Sequence, residues 1–191
     1  MDPKATHGQT RLGRYAEDQV SAVETLIPAA FRLGRQTFIS HHSGYHLLKP
    51  PATVEEQGLG YQTLQVADMA ELPESHIVPS GRCWQATKVM KRPGNPYPDR
   101  ISIGRATNCD IVLRFAVVSK LHAHLSLRAD GRLTLIDHGS ANGTWHDGRR
   151  LVPGEPAAIG PGDALSFGGV RCELIDGAGL YDLVSGNRSR H

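Results

Sequence analysis

The chain has 191 residues, of which 39% are hydrophobic and 21% charged, with 21 glycines, 12 prolines and a formal net charge of +2. That length holds one domain with an extension or two small domains, and the composition is that of a folded chain rather than a disordered one. Near-neutral charge argues against broad nucleic-acid binding, which needs a basic stripe, and the many turn-forming residues favour β structure over part of the chain.

The start, Met1-Asp2-Pro3-Lys4-Ala5-Thr6, has no apolar h-region and does not read as a secretory signal. No apolar run reaches the length of a membrane span. Cys83, Cys109 and Cys172 are odd in number and lack C-x-x-C spacing. They argue against a disulfide framework or zinc ribbon, so reduced thiols in a cytoplasmic protein are expected.

Residues 1–12 are polar and read as a flexible tail, and residues 13–82 as a helical and irregular extension. From about residue 14 to 40 the apolar positions Tyr15, Val20, Val23, Ile27, Phe31 and Phe38 recur every three to four residues, the period of a helix. Pro28 interrupts this stripe, predicting a kink or a second helix start. Residues 45–49 predict a short strand ending at Pro50-Pro51, and residues 61–66 another. The three histidines His41, His42 and His46 have i, i+4 spacing in one pair. Ser43-Gly44 breaks any helix between them and no H-E-x-x-H follows, so no metal site is expected.

From Cys83 the period changes to two. Residues 83–90 predict a strand, and 91–100, with four prolines and glycines, a loop. Ile101 and Ile103 flank Ser102 in the next strand, and residues 110–113 form another apolar run. Leu121, Ala123, Leu125 and Leu127 alternate with His122, His124, Ser126 and Arg128. Asp130-Gly131, Asp147-Gly148 and Gly168-Gly169 are hairpin turn signals between short strands. Many short strands with closely spaced turns indicate a sandwich. After Asp176, residues 177–191 read as a tail that is ordered in part through Leu180, Tyr181 and Leu183.

Three loops in this region carry groups suited to an anion. Arg105 follows Gly104 at a strand end, and a guanidinium presents a rigid fork of donors to phosphate oxygens. Ser119 and Lys120 add a hydroxyl donor and a mobile cation ahead of His122. Asn142-Gly143-Thr144 closes the pattern L-x-D-x-x-S-x-N-G-T, in which the Asn142 amide both donates and accepts. Taken alone, Asn-Gly between strands is also a type I′ hairpin signal. No nucleophile elbow or phosphate-cradling P-loop is present. Ser119 and His122, three apart on a strand, point to opposite faces with no orienting acid. No catalytic residue is therefore assigned.

In this order and spacing, Gly104-Arg105, Ser119-x-x-His122, Asn142-Gly143-Thr144 and Gly162-Asp163 before Phe167-Gly168 resemble the forkhead-associated (FHA) domain. The resemblance spans residues 83–176. It implies a mainly β fold, a sandwich of two twisted sheets with antiparallel and mixed pairing, here with an N-terminal helical extension. It also implies a non-enzymatic module that binds a threonine-phosphorylated protein, a Ser/Thr protein kinase or its substrate, without cofactor, nucleic acid or membrane. Arg105, Ser119, Lys120 and Asn142 would contact the phosphopeptide, and Gly104, His122, Gly143 and Thr144 would support them. The sequence departs from the family at Ala141, where a threonine or serine hydroxyl is common. A scaffold that uses the fold without phosphate is the alternative, and a metal-dependent enzyme built on the His41 to His46 cluster is a more remote one.

Overall fold

Alternating side chains in the second half of the chain fold as strands, and the strands extend well into the N-terminal segment. The computed structural model describes residues 20–51, 84–128 and 130–186. In chain order these form β1 (Val20–Ala22), α1 (Val23–His41), β2 (Tyr45–Lys49), β3 (Gln85–Lys88), β4 (Ile101–Gly104), β5 (Ile111–Val112) and β6 (Ala123–Leu127). They continue with β7 (Leu133–Asp137), β8 (Thr144–His146), β9 (Arg149–Arg150), β10 (Ala157–Ile159), β11 (Ala164–Phe167), β12 (Val170–Asp176) and α2 (Gly177–Val184). The expected strand at 61–66, and Cys83, lie outside the described residues.

The strands make two sheets, one in the order β1-β3-β2-β12-β11-β8-β9 and the other β10-β7-β6-β4-β5. All neighbours pair antiparallel except β4 and β5, which are parallel. The protein is thus mainly β, a two-sheet sandwich. Ile103, Ile111, Leu125 and Leu135 from one sheet and Leu47, Phe167 and Leu174 from the other are fully buried in a shared core. Burial of such side chains contributes roughly 1.5–3 kcal/mol each.

The seven-stranded sheet is covered on its outer face as well. Leu48 and Ile175, the neighbours of Leu47 and Leu174, join a second core with Val23, Leu26, Ala30 and Phe38 of α1 and Leu180 and Val184 of α2. Opposite pointing of successive strand residues feeds both cores from the same strands. β2, from the segment read as an extension, lies between β3 and β12 in the middle of this sheet.

Three expectations for the N-terminal segment are corrected. Val20 sits in a strand paired with β3, not in a helix, and the helix begins at Val23. The break in α1 falls at Gly34 (φ 72°, ψ 167°) rather than at Pro28. Glycine reaches positive φ without a Cβ penalty, whereas Pro28 is accommodated inside the first turns. Of the expected stripe, Val23 and Phe38 are buried, together with Leu26 and Ala30, whereas Ile27 and Phe31 are 37% and 73% exposed. The spacing admits either stripe, and the nearly fully buried Ala30 lets the helix approach the sheet closely.

The turn chemistry follows the sequence closely. Asp147 and Gly148 (φ 48° and 77°) join β8 to β9, and Gly168 and Gly169 (φ 61° and 92°) join β11 to β12. Two successive positive φ values are the signature of the type I′ turn, whose twist matches the flanking strands. α2 starts where the Asp176 side chain accepts from the Gly179 amide at 2.8 Å, an N-cap.

Candidate functional site

β4 and β7 end beside the start of β6, and the loops leaving β4 and β7 interlock with the one that enters β6. Gly104 closes β4. A Cβ there would collide with the carbonyl oxygen of Lys120, so only glycine lets the two loops approach this closely. The approach is held by backbone bonds from Arg105 N to Ser119 O at 2.9 Å and from Ala106 N to Lys120 O at 3.1 Å. Arg105 is half-buried, and its Nε donates to Val118 O at 3.1 Å, which orients the guanidinium along the 117–120 loop.

The loop after β7 closes on the same place. The amide of Ala141 donates to Ser119 Oγ at 3.1 Å. Asn142, buried, donates from Nδ2 to Val117 O at 2.8 Å. The Asn142-Gly143 pair is not a type I′ hairpin. Gly143 has φ 82°, but Asn142 is not among the positive-φ residues, and β7 and β8 belong to different sheets. The segment crosses from one sheet to the other beside the Gly168-Gly169 turn, whose Gly168 N donates to Gly143 O at 2.9 Å.

His122 lies beneath these loops with no solvent exposure. Its Nδ1 accepts from the Ser119 amide at 3.1 Å, so the proton sits on Nε2, which donates to Gly143 O at 3.0 Å. Phe167 packs edge-on against the ring, with centroids 5.8 Å apart. Burial lowers the His122 pKa below its ordinary value, opposed by the Gly143 bond and the nearby Asp137 charge.

Asp137 organises the loop from within. Its carboxylate accepts from Gly139 N at 2.8 Å, Ser140 N at 3.0 Å and Ser140 Oγ at 2.6 Å, and from the buried Thr144 hydroxyl. Burial alone would raise its pKa, but the Ser140 and Thr144 hydroxyls, the Ser140 amide and His122 together lower it. A carboxylate with several donors is held ionised.

The structure therefore brings Arg105, Ser119, Asn142, Gly104, His122 and Gly143 into one bonded cluster. Lys120 sits on its exposed rim. Thr144 is fully buried and faces Asp137. Sequence reasoning overlooked two residues. Asp137 was visible only as a letter in the matched pattern. Arg150 stacks over Trp145 at 5.6 Å and lies where a Gly143 side chain would project, a position fixed by the β8–β9 pairing alone.

The remaining titratable clusters lie elsewhere. His41 Nδ1 meets Thr37 O at 2.8 Å, His42 packs on Phe38, and His46 is buried in β2. Among the described residues one group of three potential metal ligands comes together, His146, Asp147 and Asp163. His146 Nε2 lies 2.8 Å from Asp163 Oδ2, within hydrogen-bond distance, and 3.4 Å from Asp147 Oδ2. Cys109 and Cys172 are buried free thiols whose pKa values burial pushes up, to about 11 and about 12. Among the described residues no helix is long and apolar enough to cross a membrane.

Fold and loop cluster define a β-sandwich module whose apex gathers an arginine, a serine hydroxyl and an asparagine amide from three loops. Residues 101–168 match the family model of the FHA domain. It is 34% identical over 98 residues to the ABC transporter ATP-binding/permease protein Rv1747 of Mycobacterium tuberculosis, a match covering 48% of this chain and 11% of that protein. The chain thus spans about a tenth of the length of this curated relative. Among solved structures it is similar to the FHA domain of CT664 from Chlamydia trachomatis, with 17% identity, 70% of this chain and 98% of that one covered, and a TM-score of 0.45. It is also similar to the N-terminal FHA domain of Rad53p from S. cerevisiae in complex with a phosphothreonine peptide, with 27% identity, 44% and 72% covered, and a TM-score of 0.38.

Proposed function

We propose that this chain is a phosphothreonine-peptide-binding module of a Ser/Thr kinase pathway, acting by capture rather than catalysis. The observation that carries the reading is the locked contact of the Arg105, Ser119 and Ala141–Asn142 loops at one end of an FHA sandwich. A phosphothreonine brings about −1.5 to −2 charges and three acceptor oxygens. Arg105 supplies the main countercharge. Ser119 Oγ accepts from Ala141 N, and a hydroxyl that accepts still has its own hydrogen to donate to a phosphate oxygen. Lys120 adds charge from the rim. Asn142 fixes the cleft through Val117 and reads the peptide backbone.

Charge-assisted hydrogen bonds are worth roughly 1.5–3 kcal/mol each. A few of them, less the ordering costs, give a micromolar complex of about −8 kcal/mol, suited to reversible signalling in the cytoplasm. The partner is a protein phosphorylated by a Ser/Thr kinase, or the kinase itself. Ala141, which has no hydroxyl, favours a second reading, a phosphate-independent interaction through the same fold.

Titration of one threonine peptide with and without its phosphate, against wild type and Arg105→Ala, tests both. The first reading expects binding that needs the phosphate and falls by about 2–5 kcal/mol in Arg105→Ala with the fold intact. Equal binding of the two peptides supports the second.

A further inference from the structure

Beside the loop cluster, on the outer side of the five-stranded sheet, lies a groove of about 750 Å³. Ala106 and Lys120, the pair whose backbone bond follows that of Arg105 and Ser119, line its near end. The groove is thus continuous with the proposed phosphate cleft. Its far wall is the 91–100 loop, which is pinned rather than loose. Asn95 Nδ2 donates to Arg100 O at 3.0 Å, Arg92 Nη1 to Thr107 O at 3.0 Å, and Lys91 Nζ to Tyr97 O.

The charge on this surface is one-sided. Arg92, Arg100 and Lys120 line the groove, and Arg100 is exposed and lies 5.5 Å over the Tyr97 ring. The single acid in the lining, Asp110, is 1% exposed. Its carboxylate accepts from Arg92 N and Ser102 N at 2.7 Å each, from Ser102 Oγ at 2.7 Å, and from Asn95 Nδ2. It is consumed in building the wall and offers no counterion to a ligand. His124 and His138 touch at 2.7 Å on the floor.

We infer that this groove receives the acidic side chains flanking the phosphothreonine of the bound chain, with Arg100 as the principal carboxylate contact. The inference deepens the proposed function and rests on it. An extended peptide advances about 3.3 Å per residue, so a few residues on one side of the phosphate reach from the cleft along the groove. An exposed arginine discriminates modestly, and its effect is screened by salt.

The test uses the full chain and two phosphothreonine peptides, one with alanine at three positions on each side and one with glutamate there. Wild type is expected to bind the glutamate peptide about three- to fivefold more tightly at low salt. Arg100→Gln should erase that preference and leave the alanine peptide's affinity unchanged. Equal affinity of wild type for both peptides, or a preference that survives Arg100→Gln, overturns the inference. Amide shifts of residues 92–100 separate its failure from that of the phosphate reading. If neither phosphate nor Arg105 matters, yet the unphosphorylated glutamate peptide shifts these amides in wild type and not in Arg100→Gln, the groove stands and the phosphate site falls. No shift there with any glutamate peptide sinks the groove.

Discussion

The imidazole of His122 donates to the carbonyl oxygen of Gly143 across 3.0 Å, joining the two loops on which the proposed phosphopeptide cleft depends. The same ring accepts from Ser119 N, so one buried side chain fixes the serine loop and the Asn-Gly loop together. His122→Ala leaves the Ser119 amide without that acceptor and opens a cavity beside Phe167. We expect a loss of about 2–4 kcal/mol in urea unfolding and weaker phosphopeptide binding, although His122 touches no ligand in this scheme. Binding that stays at the wild-type level in a folded His122→Ala protein would show that the loops hold their places without the brace.

The helical face is tested by two phenylalanines on α1. Phe38 is fully buried and meets Tyr181 edge-on at 5.6 Å, whereas Phe31 is largely exposed. Phe38→Ala is expected to cost about 3–5 kcal/mol, and Phe31→Ala less than about 0.5 kcal/mol. Chemical denaturation of both variants distinguishes them. A larger effect at Phe31 would mean that α1 presents its other face to the protein.

Stability is expected to fall with acid before the carboxylates titrate. Burial, then His42 and Lys88, push the His46 pKa from 6.5 down to about 4, with Asp176 opposing. Burial, then His138 and Arg100, do the same for His124, also to about 4. Between about pH 6.5 and 4 the unfolded chain binds protons that the folded chain refuses, so stability is present above 6.5 and lost as pH falls toward 4. The contribution is up to roughly 3 kcal/mol for each ring. Urea midpoints measured from pH 7.5 to 4.5 should decline, and His124→Gln should flatten the slope. A level profile across that range would contradict neutral burial of both rings.

Ala141 offers a gain-of-function test. Its amide donates to Ser119 Oγ, and its side chain is exposed at the edge of the cleft. Ala141→Thr adds a hydroxyl donor beside the proposed phosphate. A hydrogen bond to a charged group, less the displaced water and the fixed rotamer, leaves about 1 kcal/mol, or around fivefold tighter binding. The gain should disappear with an unphosphorylated peptide and in an Arg105→Ala background. Weaker binding by a folded Ala141→Thr protein would mean that the loop turns this side chain away from the anion.

The sequence by itself carried the local information. Period-two alternation located β4 and β6, because a strand with one face on a core must alternate, and the Asp130-Gly131 and Gly168-Gly169 turn signals marked the short strands beside them. The Asp147-Gly148 and Gly168-Gly169 turns were legible because few residues adopt positive φ. The order of Gly104-Arg105, Ser119-x-x-His122 and Asn142-Gly143-Thr144 was enough to suggest one family. Only the tertiary structure decided what pairs across long separations. The 45–49 strand reads equally well as an edge or a centre, and its place between β3 and β12 depends on partners far along the chain. The helical stripe could be drawn through Ile27 and Phe31 or through Leu26 and Ala30, and contact with Leu48 and Ile175 settled it. Asp137 looked like any strand-end acid until folding brought four donors onto its carboxylate. Spacing along a chain encodes which face a residue takes, but not which distant residue meets it there.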